Sequence, residues 1–140
     1  MAEPIRKFEE LVAWQRAREL TVAVYQASRV RDFRRDFGLA AQVQRASVSI
    51  MANIAEGFER RRPAEFHQFL SVAKGSCAEV RSHLYVALDV GYLTQPEFER
   101  LSSLGIEVAR LVGGLRASVE SYRDRPTRNS ELRTQNSELA

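Results

Sequence analysis

A chain of 140 residues has room for one domain with a real core, but not for a catalytic domain joined to a regulatory one. Its net charge of +3 and pI near 9.4 lean mildly toward anionic partners, and arginine heavily outnumbers lysine, which suits bidentate phosphate recognition. A single cysteine excludes an intramolecular disulfide, and no apolar run approaches the roughly 18 residues of a bilayer span, so a cytoplasmic protein without membrane contact is expected.

The opening MAEPIRKFEE lacks the apolar region of a secretion signal, and residues 1–7 read as an extension. From Glu9 to about Ser28, a helical period places Ala13, Trp14, Ala17, Leu20, Thr21, Val24 and Tyr25 on one face. Arg16, Arg18, Glu19 and Gln26 are left to solvent. The following VRDFRRDFG breaks the period, and Asp36 is placed to cap the next helix.

That second helix carries Leu39, Val43, Ala46, Ile50, Ile54 and Gly57 on its core face. Opposite them lies a second strip of small apolar residues, Val48, Ala52 and Ala55, with a polar row of Arg45, Ser49, Asn53 and Glu56 between. Apolar surface on both sides of a helix calls for two covers, one from its own chain and one from elsewhere. The plain alternative is a solvated polar face.

After ERRRP, Pro63 suits the first turn of a third helix, where its missing N–H costs nothing. Phe66, Phe69, Leu70, Ala73, Cys77, Val80, Leu84, Ala87 and Leu88 share its core face. Val72, Gly75, Val86 and Val90 lie away from it around Glu79, a second doubly apolar pattern. Gly91 ends this helix, and Thr94 with Glu97 forms a capping box for the fourth. There Leu101, Leu104, Val108, Leu111, Val112, Leu115 and Val119 make the last stripe, weakened by Gly113 and Gly114 at roughly 1 kcal/mol each relative to alanine. Residues 123–140, polar and carrying NSEL twice, read as a mobile tail. No stretch alternates with a strand period. The expected architecture is therefore all-α, an antiparallel up-down-up-down four-helix bundle over residues 8–122.

An ordered set of residues goes beyond what periodicity requires. Phe8, Leu11, Trp14, Ala17, Gly38-Leu39, Gln42, Arg45-Ala46, Ser49-Ile50, Asn53-Ile54-Ala55-Glu56-Gly57 and Arg60 resemble the four-helix-bundle proteins encoded in intervening sequences of bacterial 23S ribosomal RNA genes. The match continues through Glu65-Phe66, Phe69-Leu70, Ala73, Gly75-Ser76, Glu79 and Gly91-Tyr92-Leu93, spanning about residues 8 to 121. This resemblance implies a non-enzymatic bundle assembling as a ring, a homopentamer, and distant kinship with nucleic-acid-associated accessory proteins of diversity-generating retroelements. Met51 departs from the pattern by standing where these proteins usually carry proline.

Catalytic, metal and cofactor sites are not expected. His67 and His83 lie sixteen positions apart on one helix, roughly 160° around its axis, and cannot converge. Glu79 and His83, one turn apart, read as a surface pair. Two candidate sites remain. Arg45, Val48, Ser49, Ala52, Asn53, Ala55, Glu56, Val72 and Glu79 are candidates for an interface with further copies of the chain. Arg60, Arg61 and Arg62 gather with Arg6, Lys7, Arg123 and Arg125 at one end of an up-down bundle, a candidate contact for RNA or another nucleic acid. Arginines after a helix C-terminus also simply complement its dipole, and a protein partner is the competing reading. The loop from Arg29 to Arg35, diluted by Asp32 and Asp36, is the weaker basic candidate.

Overall fold

The computed structural model describes residues 4–123, in which all regular structure is helical. A 3-10 turn at Phe8–Glu10 precedes α1 (Val12–Ser28), α2 (Arg31–Arg35), α3 (Phe37–Glu59), α4 (Pro63–Asp89) and α5 (Gln95–Arg123). Each long helix packs on two others: α1 on α3 and α5, and α4 on the same two. One core runs between them, with Leu20, Val43, Ile50, Ile54, Leu70, Val80, Leu101 and Val108 excluded from solvent. Burial of such side chains stabilises the fold by roughly 1.5–3 kcal/mol each.

The capping signals act as their chemistry requires. Asp36 Oδ1 accepts the Leu39 N–H at 3.1 Å, opening α3. Thr94 and Glu97 bond reciprocally, Thr94 N–H to Glu97 Oε1 at 2.9 Å and Glu97 N–H to Thr94 Oγ1 at 3.3 Å. Pro63 opens α4, and Gly91 takes φ +84° after its end, a conformation that side chains bearing a Cβ resist. α3 runs unbroken through Met51.

Two expectations change. The first helix does not begin at Glu9: Leu11 is extended at φ −73°, ψ 123°, and separates the 3-10 turn from α1. VRDFRRDFG is not irregular throughout, because Arg31–Arg35 makes a short fifth helix. One turn is too short to show a period. What holds it is Phe33, 1% exposed and stacked on Tyr92 with ring centroids 5.3 Å apart.

Candidate functional site

The outer face shared by α3 and α4 is built from two rows. On α3, Val48 and Ala52 are exposed and Ala55 half-buried; Val72 and Val86 on α4, and Val90 just past its end, are exposed. These valines keep 42%, 50%, 45% and 56% of their surface open, so the core leaves them uncovered. Between the rows the polar groups bond to one another. Ser49 and Ser76 hydroxyls meet at 2.9 Å across the two helices, and Asn53 Nδ2 donates to the Ser49 carbonyl and hydroxyl at 2.8 and 3.0 Å. Asn53, Gln68, Phe69 and Val72 line a shallow open groove of about 230 Å³.

Of the charged candidates there, Glu56 accepts from Arg60 at 3.2 Å and Glu79 lies 3.7 Å from His83 Nε2. The guanidinium of Arg45 is exposed and, among the described residues, makes no ion pair or hydrogen bond. All nine interface candidates thus sit on or beside one face. Ser49, Asn53 and Ser76 are bonded to one another within the subunit, whereas Arg45 and the apolar rows are left open.

Gly57 permits this arrangement. A Cβ added to it would lie 2.6 Å from Phe69 Cβ and 3.0 Å from Phe66 Cδ1, so α3 and α4 meet here at a distance only glycine allows.

At the end where α3 passes into α4, the expected arginines do gather, but with carboxylates. Segments 6–10 and 56–65 carry five cations, Arg6, Lys7, Arg60, Arg61 and Arg62, and as many carboxylates, Glu9, Glu10, Glu56, Glu59 and Glu65. Arg60 pairs with Glu56 at 3.2 Å and Glu65 at 3.7 Å, and Arg62 with Glu65 at 3.6 Å. The Arg61 guanidinium donates to the Arg6 carbonyl at 3.1 Å and lies 5.1 Å over Phe58. Its backbone takes φ +62°, a strained conformation for a residue with a Cβ, held by those side-chain contacts. Arg60 covers Phe69 at 5.3 Å. Arg123 lies in the last turn of α5; its side chain, and the whole of Arg125 and the segment expected to be a mobile tail, lie outside the described residues.

Sequence reasoning missed a polar seam between α4 and α5. His67 is 8% exposed with Nε2 at 3.8 Å from Glu120, and Arg116 Nε donates to Ser71 Oγ at 2.8 Å. The spacing of His67 and Ser71, one turn apart beside the core stripe, was the available signal. Cys77 is buried, and burial pushes its thiol up to about 11, away from reactivity at neutral pH. Among the described residues, no three His, Cys, Asp or Glu side chains are arranged to hold a metal ion, and no helix is long and apolar enough to cross a membrane.

The fold is similar to a solved structure from Bacteroides thetaiotaomicron, a protein of unknown function from the S23 ribosomal protein family. The two share 22% identity and a TM-score of 0.69, over 75% of this chain and 98% of that one. No curated protein sequence matches. Residues 9–114 match the profile of the 23S rRNA-intervening sequence proteins, most of the four long helices. The chain belongs to the family of 23S rRNA-intervening sequence proteins.

Proposed function

We propose that this protein is a non-enzymatic four-helix bundle that assembles with copies of itself into a ring, five subunits being the number the resemblance favours, and contacts RNA or another nucleic acid as that assembly. The single observation that carries the reading is the exposed row of Val48, Val72, Val86 and Val90 along α3 and α4. A second open surface supports it. Trp14, Val22 and Leu104, interleaved with Arg18, Glu19 and Arg100, line a groove of mixed polarity of about 680 Å³ between α1 and α5. Because α1 and α4 each pack on α3 and α5, the α1/α5 and α3/α4 faces lie on opposite sides of the bundle. Unlike surfaces on opposite sides generate head-to-tail contacts, which close into rings when the rotation allows. Arg45, without a partner among the described residues, would then find one across the contact and set register more than stability. The same reading places the protein in the cytoplasm, where a free thiol such as Cys77 stays reduced.

Light scattering coupled to size-exclusion chromatography tests the assembly. The parent protein should elute near five times 15.9 kDa, and Val72→Glu with Ala52→Glu should yield a species near 15.9 kDa with unchanged helical circular dichroism. A parent that stays monomeric at micromolar concentration would sink the reading. A protein-interaction scaffold without nucleic-acid contact is the second reading, favoured by the carboxylates that meet Arg60 and Arg62. Partners that co-purify after nuclease treatment would support it.

A further inference from the structure

At the end of α3 away from Arg60, about 33 Å along the helix axis, the chain turns from α1 through α2 into α3, and four arginines fall within residues 29–35. Arg31 is committed, donating to Glu97 Oε2 at 2.6 Å. Asp36 is committed as well, its two oxygens accepting from the Leu39 N–H at 3.1 Å and the Tyr92 hydroxyl at 2.9 Å. Arg29, Arg34 and Arg35 are exposed, and among the described residues their guanidinium groups form no hydrogen bond or ion pair. Asp32 is the remaining carboxylate in the segment. This is the reverse of the Arg60 end, where carboxylates occupy Arg60 and Arg62.

Beside these free cations stands Phe37, 81% exposed at the first position of α3. The corner does not need its ring, because Phe33 already fills the apolar site against Tyr92. Two peptide units separate Phe37 from Arg35, so their Cα atoms lie within about 7.6 Å. Arg29 also borders a shallow, largely apolar groove of about 590 Å³ along α1 that Val22, Tyr25 and Val30 line.

We propose that this α1–α2–α3 corner binds single-stranded nucleic acid, with Arg29, Arg34 and Arg35 meeting backbone phosphates and an unpaired base stacking on Phe37. The inference rests on the nucleic-acid part of the proposed function and moves its contact surface to the opposite end of the bundle. Unpaired guanidinium groups meet phosphate without first giving up a carboxylate, which Arg60 and Arg62 must do. An exposed aromatic ring offers a face to a base of any identity, but only to one that is not already stacked in a duplex. In an assembly the corner repeats in every subunit, so modest contacts add.

Fluorescence anisotropy with a labelled twelve-nucleotide RNA, the DNA of the same sequence, and the matching RNA duplex tests the proposal at several salt concentrations. The parent should bind both single strands more tightly than the duplex, and a preference for RNA or DNA would identify the favoured sugar. Phe37→Ala should weaken single-strand binding about 5- to 150-fold at every salt concentration. Arg34→Ala with Arg35→Ala should lower the log–log salt slope by about 1.4, at 0.7 per phosphate contact on a single strand. Arg60→Ala, Arg61→Ala and Arg62→Ala together should change little. Loss of binding in that triple variant alone would overturn the corner and leave the nucleic-acid reading standing. Absence of binding by the parent at low salt would overturn both. A silent Phe37→Ala, or one that lowers the mass in light scattering instead of RNA affinity, would overturn the stacking role.

Discussion

Replacing Gly57 by alanine sets two effects of known size against each other. Alanine in the interior of a helix is favoured over glycine by about 1 kcal/mol. Against that, the new methyl would lie 2.6 Å from Phe69 Cβ, where carbon atoms ordinarily sit about 3.5–4.0 Å apart. Phe69 Cβ is fixed to the α4 backbone and cannot rotate away, so α3 and α4 must part locally by about 1 Å, a gap that forfeits a quarter to a half of each contact's attraction. Overpacking of this kind costs about 1–3 kcal/mol, and Ile54, Phe58 and Phe66 lie in the region that must move. The net expectation is a loss of up to about 2 kcal/mol, or a few degrees in Tm for a chain of this size. Gly114→Ala provides the control, since a Cβ there has nothing within 4 Å and should stabilise by up to about 1 kcal/mol. Urea unfolding followed by circular dichroism, at one fixed protein concentration, should show the two substitutions moving the midpoint in opposite directions. A Gly57→Ala protein stabilised as much as Gly114→Ala would refute the claim that glycine sets the approach of α3 and α4.

Other expectations concern individual contacts. The Thr94 backbone N–H, helped by the Thr94 hydroxyl and Arg31 against opposing burial, holds Glu97 below the usual carboxylate range; its stabilisation is present above the ordinary glutamate pKa and is lost as pH falls through the depressed folded value, so the stability gap between parent and Glu97→Gln should close in acid. The bond to Asp36 raises Tyr92 above the usual phenol range, so its stabilisation is complete below the ordinary tyrosine pKa and is lost as pH rises through the folded value; ultraviolet titration should lose its latest-titrating tyrosine in Tyr92→Phe. Asp36→Ala removes the α3 cap and should cost about 1 kcal/mol in urea unfolding. Arg16 donates to both oxygens of Glu107, at 2.9 and 2.7 Å, joining α1 to α5; a double-mutant cycle should find a small coupling that shrinks with added salt. Cys77 should react with a thiol reagent only at the rate of unfolding, whereas prompt labelling of the native protein would contradict its burial.

Much of the fold is legible in the chain because its signals are local. The stripe Val43, Ala46, Ile50 and Ile54 is buried as its spacing requires, and Asp36, Gly91 and the Thr94–Glu97 box punctuate helices where their chemistry acts within three or four residues. Phe33 is not legible in that way, because its anchor is Tyr92, 59 positions further on, and one turn has no period to read.

The candidate sites divide along the same line. The exposed valines of α3 and α4 follow from which face the core takes, so the sequence by itself determined that those helices carry apolar surface on two sides. The order of the helices likewise brings Arg6 to the end that holds Arg61. Whether an arginine is free was decided only by tertiary structure, since an ion pair depends on where a neighbouring side chain points. Arg60 reaches Glu65 across a helix junction and Arg16 reaches Glu107 from 91 residues away, while Arg34 and Arg35 reach nothing among the described residues. The same holds for the Asn53-Ile54-Ala55-Glu56-Gly57 run. The resemblance marks it as distinctive, but part of its physical reason, a glycine against Phe69, exists only once α4 lies against α3.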